Sequence, residues 1–429
     1  LRLGQWRAHI SYNSALKSVD TDEFIYCATD NGIYNVEKSN FEITRLSTID
    51  GLSAVNVQTI DFDKESKAIF ISYKGGMVDM ILDNKITAIP FIYNSSNIIG
   101  DKTVYEFTFN EGMAYFATAF GVVAYDIANK QVKESYLDLS AEGDKLAISD
   151  VAVYNGRIYV ATESGLRSAD LNANLLDFNF WKTDLAVSCQ LLQVFNNQLI
   201  LVLSDRRILT YDGSVSSPFE PLKWAKVNAI DVYHDHLIIT KEKNVLSLDK
   251  SFSRDSVILN FPSHCLIDEN NDFWVSSRFY GLIKMEEEDL YLKPNGPGAA
   301  SAWNFAYNDE ELWVASGGVD NSFNPRFLNN GIYVFKDQLW KNYNLSENAE
   351  FSNFRDFHQI VIDPINNKKY AASFNKGIAI FDKDNNLSQY NQNNSDGAIQ
   401  TVGNSTDPEA LIYMSGIALD TSNNLWMAQ

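Results

Sequence analysis

The residues of this chain that could do chemistry are few and local. His234-Asp235-His236 places two imidazoles at i and i+2, which point the same way on a strand and suit a metal ion. The segment aligns with Asn155-Gly156-Arg157 of another repeat, so a hairpin turn is expected instead, and the sequence offers no identifiable third ligand. Asp268-Glu269-Asn270-Asn271-Asp272 and Asp382-Lys383-Asp384-Asn385-Asn386 resemble calcium loops but lack the glycine and distal glutamate of an EF-hand. Both fall where a turn is due, and Asn and Asp favour turns for backbone reasons. Glu286-Glu287-Glu288-Asp289 reads as a solvated strand end. Motifs of serine hydrolases, zinc proteases, P-loops and dinucleotide folds are missing. The 5 histidines leave little material for general-base catalysis. Carboxylates are abundant, yet no pattern picks out a glycosidase pair. Binding is expected rather than catalysis, with no metal and no cofactor.

The elements that must position any site show themselves as a degenerate repeat. An apolar β-rich run, Ala-Thr or a variant, a polar pair, a glycine and an aliphatic residue recur about every 40 residues. The phrase reads Ile25-Tyr26-Cys27-Ala28-Thr29-Asp30-Asn31-Gly32-Ile33, then Ala114-Tyr115-Phe116-Ala117-Thr118-Ala119-Phe120-Gly121-Val122, then Ile158-Tyr159-Val160-Ala161-Thr162-Glu163-Ser164-Gly165-Leu166. That period with short strands is the mark of a β-propeller blade. Aligning the repeats on the centre of the second strand gives Tyr26, Phe70, Tyr115, Tyr159, Ile200, Ile238, Trp274, Trp313, Tyr370 and Trp426. The first seven anchors are about 36 to 45 residues apart, one four-stranded blade each. Pro294-Asn295-Gly296-Pro297-Gly298 then breaks any strand, and the later spacings lengthen.

The chain is therefore expected to be all-β. A seven-bladed propeller spans 1–292, and a second propeller begins at 293–429 with about three blades. A single ten-bladed ring is the alternative, outside the usual four to eight. Because the sequence stops at Leu425-Trp426-Met427-Ala428-Gln429, in the middle of the phrase, a longer parent protein is expected. Each inner strand is expected to be apolar, as in Val151-Ala152-Val153. Small residues that end the second strand would let blades pack closely near the axis, and the glycine would allow a tight turn. Residues 1–13, with Trp6 and Tyr12, could supply the strand that closes the first ring.

Composition bounds the partners. The 429 residues include 55 acidic and 35 basic side chains, a net charge of −20, which disfavours nucleic acid. No apolar run reaches the ~18–20 residues that cross a bilayer. No signal peptide is visible, so the protein is cytosolic or its signal has been removed. Cys27, Cys189 and Cys265 are far apart and form no disulfide framework; buried, inert thiols are expected.

In a propeller, the loops before each inner strand and after each second strand converge around the axial opening. That places Phe120, Arg278, Phe279 and Tyr280 on one face, with His264 and His358 at inner-strand starts. Arg, aromatic and imidazole groups together suit a protein or glycan partner. Arg278 and Tyr280 are the leading candidates.

Several phrases taken in order resemble a known family. Trp6-Arg7-Ala8-His9-Ile10-Ser11-Tyr12-Asn13, Tyr26 to Ile33, Gly51-Leu52-Ser53, Tyr73-Lys74-Gly75-Gly76-Met77-Val78-Asp79 and Asn295-Gly296-Pro297 are similar to the PorZ family. These are surface propellers of the Bacteroidota type IX secretion system. The resemblance implies two propellers and a C-terminal β-sandwich, export to the outer-membrane surface, and loss of a signal peptide. It also implies an attachment complex with the sortase-like PorU and the outer-membrane PorV, to which the family brings anionic lipopolysaccharide without catalysing the reaction. It carries no residue-level binding motif. The competing reading is the periplasmic glycan-sensing region of a hybrid two-component histidine kinase. Such sensors repeat a Gly-Leu-Ser entry in most blades, whereas here it is clear once, at Gly51.

Overall fold

The computed structural model describes all residues except 1–6, 138, 140–144, 309, 323, 345–350, 352, 353 and 405–410. Short antiparallel strands dominate, and among the described residues the one α-helix is Phe91–Asn94. Among the described residues no helix is long and apolar enough to cross a membrane. The chain divides into two compact units, one of 1–8 and 12–294, the other of 9–11 and 295–429.

The first unit holds seven four-stranded sheets, spanning 15–46, 57–89, 104–136, 148–185, 189–218, 227–258 and 262–292. They are blades 1 to 7 of a propeller whose strands follow in sequence order from the inside outwards. The inner strands are Ala15–Asp20, Val57–Asp63, Val104–Asn110, Ile148–Tyr154, Cys189–Phe195, Val227–Tyr233 and Pro262–Ile267. Each inner strand packs beside the next, and the last packs beside the first, which closes the ring. The second unit has four-stranded sheets over 304–343 and 357–390 and a two-stranded sheet of Gly416–Leu419 and Leu425–Ala428. All ten anchor residues named above fall in second strands.

The hydrophobic core is a series of layers between blades. Phe70, Phe107, Phe116 and Tyr125 fill the layer between blades 2 and 3. Trp313, Tyr343, Phe351 and Phe381 do the same in the second unit. In blades 3 to 6, two-residue hairpins with both residues at positive φ join inner and second strands, as at Asn155-Gly156 and His234-Asp235.

The repeat phrase has a local physical cause. The hydroxyls of Thr29, Thr118 and Thr162 donate to the carbonyls of Gly32, Gly121 and Gly165 at 2.8, 2.7 and 2.7 Å, closing the turn after the second strand. Close blade packing is thus only part of why a small hydroxyl residue stands there. Gly121 and Gly165 have φ of +137° and +136°, and a Cβ at either would collide with the carbonyl of Tyr136 or Leu185 in the outermost strand. The calcium-like loops are turns whose carboxylates are already engaged. Asp268 accepts from the Asn270 and Asp272 amides and from the Trp274 indole, and Asp382 accepts from the Asp384 and Asn386 amides.

Ring closure does not use the N-terminal segment as a strand. Blade 7 draws all four strands from 262–292, and residues 7–14 form none. Trp6 lies outside the described residues. Asn13 instead accepts from the Gly281 amide at 2.9 Å and from Lys293 at 2.6 Å.

Candidate functional site

Every inner strand of the first unit carries a β-bulge after its first residue, at Leu16, Gln58, Tyr105, Ser149, Gln190, Asn228 and Ser263. A bulge re-aims side chains, and here it builds links between blades. Three bulged residues donate to the first carbonyl of the next inner strand: Ser149 to Cys189 at 3.3 Å, Asn228 to Pro262 at 2.8 Å, Ser263 to Ala15 at 2.6 Å. In blades 4 and 7 the residue after the bulge accepts an amide of the next strand. Asp150 takes Leu192 N–H at 2.7 Å, and His264 Nδ1 takes Ser18 N–H at 3.4 Å. The seam from blade 7 to blade 1 is therefore made with the same two links as the junction of blades 4 and 5.

This arrangement lines an axial cavity of about 660 Å³. Its wall carries Lys17, Asp61, Glu106, Asp150, Asp231 and His264, from six of the seven blades. Lys17 Nζ reaches Asp61 at 3.1 Å and Glu106 at 2.8 Å. His264 Nε2 is 3.1 Å from Asp231. Burial alone would pull the Lys17 ammonium down, but Asp61 and Glu106 outweigh it and hold the group well above its ordinary value. Burial pushes Glu106 up to about 7, with Lys17 opposing and Asp61 reinforcing. Burial and then Glu106 raise Asp150 well above the usual carboxylate range. Burial raises Asp231 too, but Lys17 and His264 prevail and keep it low. The cavity is an acid-rich lumen, suited to hydrogen bonding and poorly suited to an anion.

The predicted site residues separate into groups. His264 is buried and lines the cavity; Arg278, on an exposed turn, lines it as well. Phe279 is exposed and meets Phe261 edge-on at 5.0 Å, while the Arg278 amide donates to the Phe261 carbonyl. Tyr280 is half-buried against Tyr291. Phe120 corrects the expectation: its ring is 2 % exposed, packed in the layer between blades 2 and 3, because the residue before the glycine turns inward there. His358 sits at the bulge of Phe357–Ile362 in the second unit, buried edge-on against Phe374, and burial lowers its pKa. It belongs to the second unit, and His264 to the first.

The expected all-apolar inner strand is also corrected. The lumen charges were missed because they hide singly in strands that otherwise read as core. A signal existed: an ionisable residue two places after the strand's first residue recurs as Lys17, Glu106, Asp150 and His264.

A bulged seven-blade ring around a polar axial cavity defines a seven-bladed β-propeller. Residues 25–182 match the model of the PorZ N-terminal β-propeller domain of the type IX secretion system, which bears out the resemblance to PorZ. The chain also superposes on the structure of PorZ from Porphyromonas gingivalis, described as an essential bacterial surface component of that system. The TM-score is 0.83 at 20% identity, over 99% of this chain and 57% of that one. The chain thus spans little more than half the length of that structure. An extracellular domain assigned to a hybrid two component system of B. thetaiotaomicron matches at TM-score 0.50 and 14% identity, over 97% of this chain and 56% of that one. At these identities both likenesses are of fold. No curated protein matches the chain in sequence.

Proposed function

We propose that the chain is part of a non-enzymatic adaptor of the type IX secretion attachment complex at the cell surface. In this reading it engages a sortase-like partner and outer-membrane PorV and presents anionic lipopolysaccharide for cargo anchoring. The observation that carries the reading is the match of residues 25–182 to the PorZ N-terminal propeller domain. The electrostatics divide the labour. The lumen has four carboxylates, Asp61, Glu106, Asp150 and Asp231, so an anionic glycan is assigned to the rim at Arg278, Phe279 and Tyr280 instead.

The test is recovery of partners from outer membranes with the full-length protein as bait. Recovery of a sortase-like protease together with lipopolysaccharide is expected. Arg278→Ala and Tyr280→Ala should each reduce the lipopolysaccharide severalfold, and Glu106→Gln should leave it unchanged. A pull-down without any secretion component overturns the adaptor reading.

A further inference from the structure

The two histidines that stand out in the sequence part company in the structure. His236 Nδ1 lies 2.9 Å from the carbonyl oxygen of His234 and is thereby occupied locally. The His234 ring faces another way: Nε2 is 3.9 Å from Asp20 Oδ2. One ligand atom each from Asp20, His234 and Glu269 falls within 4.8 Å of the other two. Asp20 ends the inner strand of blade 1, and His234 and Glu269 lie in the turns that follow the inner strands of blades 6 and 7, so the fold gathers them from three neighbouring blades at the ring seam. Asp20 is buried, while His234 and Glu269 are open to solvent.

The centre of this group already attracts positive charge. Lys38 Nζ is 3.2 Å from Asp20 Oδ1 and 2.7 Å from Glu269 Oε2, so one ammonium sits between the two carboxylates. The imidazole is the informative member. Carboxylates alone would suit magnesium or calcium, which take oxygen ligands, whereas a nitrogen beside two oxygens suits zinc and its neighbours. Three protein ligands with water in the fourth position is an established zinc arrangement.

We infer that Asp20, His234 and Glu269 form a transition-metal site of the zinc class, with Lys38 as the cation that neutralises it when no metal is bound. Zinc there would tie blades 1, 6 and 7 together. It binds by displacing the Lys38 ammonium, so lysine and metal compete for the same two carboxylates. This site is separate from the axial lumen and does not depend on the adaptor reading.

Calorimetric titration of zinc chloride into chelator-treated, dialysed protein tests it. One zinc per chain is expected. His234→Gln should weaken binding about tenfold or more, since even an outer-shell change costs that much. Glu269→Gln should weaken it similarly. Lys38→Gln should tighten it severalfold, and His236→Gln should leave it unchanged. His234 and Glu269 lie on exposed turns, so their variants are expected to keep the unfolding midpoint of the metal-free wild type. Absence of zinc binding by the wild type overturns the site. So does wild-type affinity in His234→Gln, or equal affinity for calcium chloride.

Discussion

In the first unit the side chain that reaches from one inner strand to the next amide is ionisable: Asp150 to Leu192, or His264 to Ser18. In the second unit the same reach is made by neutral amides. Asn304 accepts from Ile360 N–H at 3.0 Å, and Gln359 accepts from Ile417 N–H at 2.9 Å. The geometry of the link is shared and its chemistry is not. A carboxamide serves as acceptor at any pH, whereas a buried carboxyl such as Asp150 ties the link to proton uptake. The comparison teaches that this link, where it is made, needs only an acceptor. The charges of the first unit are then extra, and they convert its axis into a titrating centre.

The sharpest way to break this distinction is to remove its cation. Lys17→Met leaves Asp61 and Glu106 facing each other without the ammonium, an uncompensated buried charge that should cost about 3 kcal/mol at neutral pH. Denaturant titration, with hydrogen exchange to locate the transition, should place the loss in the first unit. An equal loss in the second unit would sink the distinction.

The next effect is in pH. Glu106 has a folded pKa of about 7, above its ordinary 4.5. Its stabilising contribution is therefore full below about pH 4.5 and is lost as pH rises through about 7, which amounts to about 2 kcal/mol between about pH 5 and 8. Glu106→Gln should flatten that slope in the unfolding midpoint of the first unit. Superimposable pH curves for variant and wild type would show that Glu106 does not titrate in this way. The smallest effect belongs to the second unit: Gln359→Leu orphans the Ile417 amide and should cost about 1 kcal/mol. That cost should be the same at every pH. Faster exchange of the Ile417 amide is the readout, and a pH-dependent cost would contradict the contrast drawn above.

How far the sequence revealed these features follows from their periodicity. The anchors from Tyr26 to Trp426 were legible because each blade must repeat an apolar second strand, a hydroxyl residue and a glycine at fixed spacing. Asp268 and Asp382 were legible as turn residues because their carboxylates bond amides a few places ahead. The lumen was not, since Lys17, Glu106 and Asp150 directly follow bulges, where alternation slips by one residue and an inward charge looks like an irregularity. Phe120 misled for a related reason: a turn position defined by sequence alone does not say which way its ring points. The meeting of His234 with Asp20 and Glu269 joins residues more than 200 positions apart in the chain, a closeness that only ring closure creates.

Cys27, Cys189 and Cys265 are free, buried and spread over blades 1, 5 and 7, and burial lifts all three thiols, Cys27 to about 12. A thiol-directed reagent therefore meets no reactive sulfur on the folded ring, and its rate of attack at each cysteine is set by how often that blade opens. The molecule carries three internal clocks, two beside the seam and one across the ring, that time the loosening of a closed circle from different points on its circumference.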